Sequence, residues 1–141
     1  MADLPRHSVS VTAVVIHPDG RVLAIQREDD RRWVPPGGIV ELDETPEHAV
    51  IREVLEETGV QVKPETLTGV YKNMNLGVVS LTFRCHPISG TPHASDEALE
   101  STWLTLDQVQ HLMPEARAIR VLDALRDDGP FVRVHDGTQL I

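Results

Sequence analysis

The chain has 141 residues, 40% of them hydrophobic and 25% charged, and a formal net charge of −9. That length suits a single domain, 1–141, with one substantial core. The acidic balance argues against polymeric nucleic acid, whose binding needs basic surface to displace counterions, but not against nucleotides, because a divalent cation can bridge acids to phosphates.

From the N-terminus, alternation passing into a continuous apolar run predicts a strand over 9–16 (VSVTAVVI). HPDG at 17–20 is a turn, and RVLAIQR at 21–27 reads as the returning strand of a hairpin. After a charged loop at 28–32, WVPPGG at 33–38 is first rigid and then permissive. A helix is expected from Thr45, a suitable N-cap followed by Pro46, to Gly59, a residue able to close it in the left-handed region. Strands are expected at 60–62, 67–73 and 76–86, then a loop at 87–96. A short strand at 100–106 leads into a helix from about Asp107, and a further helix covers 114–125. The tail, 126–141, holds Phe131, Val132, Val134, Leu140 and Ile141. Such apolar content suits an edge strand, or a surface packed on this chain or on a second copy, so a homodimer is one expectation. Paired strands mixed with helices indicate an α/β fold, with helical layers around a mixed sheet.

Cys85 is the only cysteine, which excludes an intrachain disulfide, and its apolar surroundings mark a small core residue. With no signal-like start, a cytoplasmic setting is expected. The seven histidines lack zinc-finger or HExxH spacing. No apolar run approaches the ~18–20 residues of a membrane span, so no membrane partner is expected.

The charged helix carries the chemistry. At 100° per residue, Val50, Ile51, Val54 and Leu55 fall in one arc of about 140°, a core-facing stripe. Glu53, Glu56 and Glu57 fall in a separate arc of about 100°. An oxygen-only set of this kind suits Mg²⁺ or Mn²⁺ rather than zinc or copper. An acidic face alone is usually just solvated. Here PPGG lies directly upstream, and its glycines let backbone amides or carbonyls come close to a metal or a phosphate.

Gly38, five residues, Glu44, seven residues, then Arg52-Glu53-Val54-Leu55-Glu56-Glu57-Thr58-Gly59-Val60 matches the signature of the Nudix hydrolases at every fixed position. With its flanks, VLAIQR before WVPPGG and WLTLDQV after the loop, the chain resembles that family over about residues 9–112. The resemblance implies the Nudix α/β/α sandwich, with a mixed β-sheet between helices, and a metal-dependent pyrophosphohydrolase. By analogy Glu53, Glu56 and Glu57 are metal ligands, with the Gly37 carbonyl as another. An acid from outside the signature is expected to join them; Glu97 fits best and Glu100 second. Arg52 orients a neighbouring glutamate, and Glu44 has a structural role. Arg27 and Gly38 are candidates for substrate contact, and Glu53 or Glu56 takes a proton from the attacking water.

Substrate choice lies outside the signature. Tyr71 and Pro64 sit too near it to match the family's subgroup markers, and no coenzyme A or NADH signature is present. The small size resembles MutT-like members, which implies conversion of a nucleoside triphosphate to NMP and pyrophosphate. ADP-ribose or a nucleotide sugar is the alternative among enzymes. A non-catalytic nucleotide sensor is the alternative outside them, and the intact acids argue against it.

Overall fold

A computed structural model describes residues 3–141. Its strands are β1 (Ser8–Val15), β2 (Val22–Arg27), β3 (Trp33–Val34), β4 (Gly37–Ile39), β5 (Gln61–Asn73), β6 (Val78–Ser89), β7 (Ala98–Leu104) and β8 (Phe131–His135). The helices are α1 (Pro46–Thr58), α2 (Leu106–Leu112) and α3 (Glu115–Ala124). A five-stranded mixed sheet runs β4-β1-β6-β5-β8 and a three-stranded sheet runs β3-β2-β7. Helices cover both sides, which gives the α/β/α sandwich expected from the resemblance.

The expected hairpin over 9–27 is not formed. β1 pairs with β4 and β6, and β2 pairs with β3 and β7. Only the isolated bridge Ile16↔Val22 and the bond from the His17 amide to the Arg21 carbonyl (2.8 Å) join them at the turn. Both strands are apolar on both faces, from Val11 and Ala13 to Val15 and from Val22 to Ile25. A strand of that kind is satisfied as the centre of a covered sheet, so each lies at the interior of its own.

Alternation along β1 divides the core. Val11, Ala13 and Val15 pack with Ala49, Val50 and Val54 of α1, whereas Val14 packs with Val109 of α2, with Met113 just after it and with Val121 of α3. Leu23 joins the first cluster, and Val22 and Ala24 the second. Cys85 is buried in the first, and desolvation pushes its thiol up to about 12, as a core residue requires.

The helix ends follow their capping residues. Thr45 Oγ1 accepts from the His48 amide at 3.2 Å, and Gly59, at φ 80°, donates to the Leu55 carbonyl at 2.9 Å. Thr105 and Gln108 form a reciprocal capping box on α2. β5 runs unbroken through Pro64 against β6, with register shifts near Gln61, Pro64 and Leu67 that absorb the proline. β8 adds the edge strand anticipated for the tail, parallel to β5 from Gly69↔Phe131 to Asn73↔His135. Among the described residues no helix is long and apolar enough to cross a membrane.

Candidate active site

α1 is turned relative to its apolar pattern. Leu55, expected in the core, is 44% exposed, while Glu53 and Glu57 are buried with Ala49, Val50, Val54 and Thr58. On a 100° wheel the buried arc is displaced roughly 80° toward the acids. The cause is the glycine pair: β4 lies over this side of the helix, and Gly37 and Gly38 leave room for carboxylates. A Cβ on Gly38 would stand 2.5 Å from the Glu53 carboxyl carbon, and one on Gly37 would strike the Val11 carbonyl oxygen.

Glu53, Glu57 and Glu97 each bring a carboxylate oxygen into one group, all within 4.8 Å of one another. Glu97 comes from the loop just before β7. Glu100, the second choice from the sequence, lies on β7 opposite Gln26 and outside the group. Glu56 is also outside it: its side chain is 47% exposed and accepts from Arg52 Nη1 at 3.3 Å. The all-oxygen, carboxylate-rich set fits a hard divalent cation.

Arg52 links the acids to the loop. Its Nε and Nη2 donate to both oxygens of Glu44 (3.0 and 2.6 Å), Nη1 donates to Glu53 (2.9 Å), and Nη2 also reaches the Ile39 carbonyl (3.3 Å). This pair holds Glu44 down at about 2. Glu57 is different. It has no cationic contact within salt-bridge range among the described residues, and the Gly37 amide donates to its Oε1 at 2.9 Å. Burial, with the nearby charges of Glu53 and Glu97, pushes it up to about 8 against that hydrogen bond. Burial likewise raises Glu53, with Arg52 opposing.

Two of the three acids, Glu57 and Glu97, open on a cleft of about 570 Å³. Gly37, Gly38, Glu57, Glu97 and Arg27 line one part of it. Arg27 is gripped by Asp29 through Nε (3.0 Å) and Nη2 (2.6 Å), so it faces the cleft already paired. Sequence reasoning missed the residues that line the remainder: Asn73, Arg117, Arg120 and His135. Arg117 and Arg120 at i,i+3 on α3 share one face, a signal readable in PEARAIRVLDAL. His135 on β8 carried no comparable mark.

A family model, the NUDIX domain, matches residues 6–125. A MutT-like protein of Streptomyces ambofaciens is 56% identical over 137 residues, covering 97% of this chain and 89% of that protein. An ADP-ribose pyrophosphatase of Methanocaldococcus jannaschii is 35% identical over 105 residues, 70% of this chain and 62% of its own length. The crystal structure of a MutT protein from Bacillus halodurans superposes with a TM-score of 0.77 at 25% identity, covering 95% and 94% of the two chains. On the family match and the signature helix together, the chain belongs to the Nudix hydrolase family.

Proposed function

We propose that this Nudix pyrophosphohydrolase cleaves a nucleoside diphosphate linked to another group, with nucleoside triphosphates as its substrates and NMP and pyrophosphate as products. The observation that carries this reading is the convergence of Glu53, Glu57 and Glu97 within 4.8 Å at a cleft that Arg27 also lines. These three acids would hold Mg²⁺ or Mn²⁺, with Glu56 and the Gly37 carbonyl beside them. When bound, the metal supplies charge neutralisation across the diphosphate, polarisation of phosphorus and acidification of the attacking water.

The protein's own part is positioning and proton transfer. The Gly37 amide aims Glu57, and Arg52 fixes Glu53 against Glu44. The proton of the attacking water passes to Glu53 or Glu56, which share Arg52 Nη1 at 2.9 and 3.3 Å. Arg27 meets a phosphate oxygen where the cleft begins, and the bare backbone of Gly38 lets the diphosphate approach. A cytoplasmic setting suits these small-molecule substrates.

ADP-ribose is the second reading, favoured by the name of the 35% identical relative. A nucleotide panel with Mg²⁺ and malachite-green detection tests both, with inorganic pyrophosphatase added for the triphosphates and alkaline phosphatase for the ADP-ribose arm. Pyrophosphate from triphosphates supports the first. Phosphatase-sensitive products from ADP-ribose alone would move the assignment to the second, and no turnover of any member would end it.

A further inference from the structure

Besides apolar side chains, the cleft is lined by Asn73, Arg117, Arg120 and His135. Arg120 is 1% exposed. Its Nε donates to the Ala116 carbonyl at 3.1 Å, and its Nη1 donates to Thr12 Oγ1 at 2.8 Å and Ser80 Oγ at 3.1 Å. No carboxylate among the described residues pairs with it, although a buried charge without a partner is costly. The acid nearest in sequence is already engaged: Asp123 accepts from the Tyr71 hydroxyl (2.7 Å) and from Arg133 Nε and Nη2 (2.7 and 2.8 Å).

His135 adds to the surplus. The Gly137 amide donates to its Nδ1 at 3.0 Å, while Arg120 Nη2 stands 3.1 Å from its Nε2. A neutral imidazole has one acceptor nitrogen. It therefore accepts from one of these donors and turns an N–H toward the other. Arg117, one turn before Arg120, lines the cleft with no side-chain hydrogen bond or ion pair among the described residues. Asn73 spends its Oδ1 on the Asn75 and Leu76 amides (3.0 and 3.1 Å), which leaves its amide N–H groups. Ile39, Leu76 and Val78 supply apolar lining.

The free donors of Arg117 and of the Asn73 amide, beside apolar side chains, fit a flat heterocycle better than a second phosphate. We propose that this part of the cleft is a base subsite for oxo-bearing nucleobases of the guanine or uracil type. Arg117 is the specificity-determining donor, and Arg120, whose own N–H groups are largely engaged, is with His135 a positioning residue that ties α3 to β8 beneath it. Guanine offers adjacent oxygen and ring-nitrogen acceptors that an arginine can meet with two donors, and uracil offers carbonyls. Adenine has no carbonyl and sets its exocyclic amine, itself a donor, beside the ring nitrogen that Arg117 would meet, and cytosine offers one carbonyl where uracil offers two. The inference rests on the nucleotide reading above, and it gives β8, beyond the matched residues 6–125, a part in substrate selection.

Steady-state kinetics on GTP, UTP, ATP and CTP with Mg²⁺, for the native chain, R117Q, R117K and H135N, test this. Calorimetric binding of GMP and AMP without metal gives a readout independent of turnover. The native kcat/KM for GTP and UTP should exceed that for ATP and CTP by roughly tenfold or more. R117Q should erase the preference through KM and weaken GMP but not AMP, and R117K should restore part of it. H135N should lower the preference in the same sense. Turnover without base preference, or GMP binding indifferent to R117Q, overturns the subsite and leaves the hydrolase reading standing. GMP selectivity that depends on Arg117, with no triphosphate hydrolysed, supports the subsite and overturns the triphosphate assignment instead.

Discussion

Glu57, in the last turn of α1, accepts a 2.9 Å hydrogen bond from the amide of Gly37, twenty residues upstream. Gly37 is itself paired with Thr12 across β4 and β1. The most buried acid of the cluster is thus aimed by sheet backbone rather than by a flexible side chain, and backbone donors of this kind need no reorganisation during reaction. Glu53 is held differently, by the guanidinium of Arg52.

Gly37 and Gly38 should therefore fail in different ways. A Cβ at 38 meets only the end of the Glu53 side chain, which can move; one at 37 meets β1 backbone, which cannot. We predict that G38A keeps its melting temperature within a few degrees and loses roughly 10²-fold in kcat, the scale of a misplaced catalytic group. G37A should instead melt well below the native protein. Thermal unfolding and kinetics on both variants decide it, and equal melting temperatures would contradict the packing argument.

Substitution of the acids should sort them by place. E57Q and E97Q each remove a carboxylate from the three-acid group and should lower turnover by roughly 10²-fold or more. E56Q removes a carboxylate outside that group but on Arg52 Nη1, so a similar fall would mark it as the base, and a small one would leave that role to Glu53. E100Q should cost less than about tenfold, the low end for a supporting residue. Loss of activity in E100Q with E97Q near normal would reverse the choice between the two.

The signature helix was legible because its information is local. Thr45, Pro46 and Gly59 set its ends through contacts a few residues long, and the acids keep their spacing in any context. The rotation that buries Glu57 and exposes Leu55 was not legible, because it depends on a glycine pair laid across the helix by β1. The split of residues 9–27 between two sheets depends on partners as remote as β6 and β7. The same holds for the base end of the cleft: Arg120 meets Thr12 from 108 residues away, a contact no sequence period records.

An apolar tail with no residue in the family signature is expected to be dispensable for chemistry, and the packing of β8 changes that expectation. Removing residues 127–141 would strip Arg133 from Asp123 and His135 from Arg120, and expose the edge of β5. Leaving the buried Asp123 carboxylate without Arg133 costs about 3 kcal/mol or more. The truncated chain should melt lower and aggregate, as seen by scanning calorimetry and light scattering. A soluble truncation with native melting and native base preference would show that β8 supports neither fold nor site.

His135 also makes stability depend on pH in a defined direction. Burial and the neighbouring charges of Arg120 and Arg117 push it down to about 4 from an ordinary 6.5, with Asp136 opposing. The folded pKa lies below the unfolded one, so the fold favours the neutral ring. That contribution is present in full above pH 6.5 and is lost as pH falls toward 4. Glu57, raised to about 8, works in the opposite sense, since its contribution grows as pH falls below 8. A melting curve of the native protein alone therefore mixes the two. The difference between native protein and H135N isolates the ring, because groups unaffected by the substitution cancel. Between pH 7.5 and 4.5 the native melting temperature should fall relative to that of H135N, with most of the change below pH 6.5. Parallel curves across that range would mean that His135 is protonated in the fold as readily as in the unfolded chain, and the donor arrangement around Arg120 would have to be redrawn.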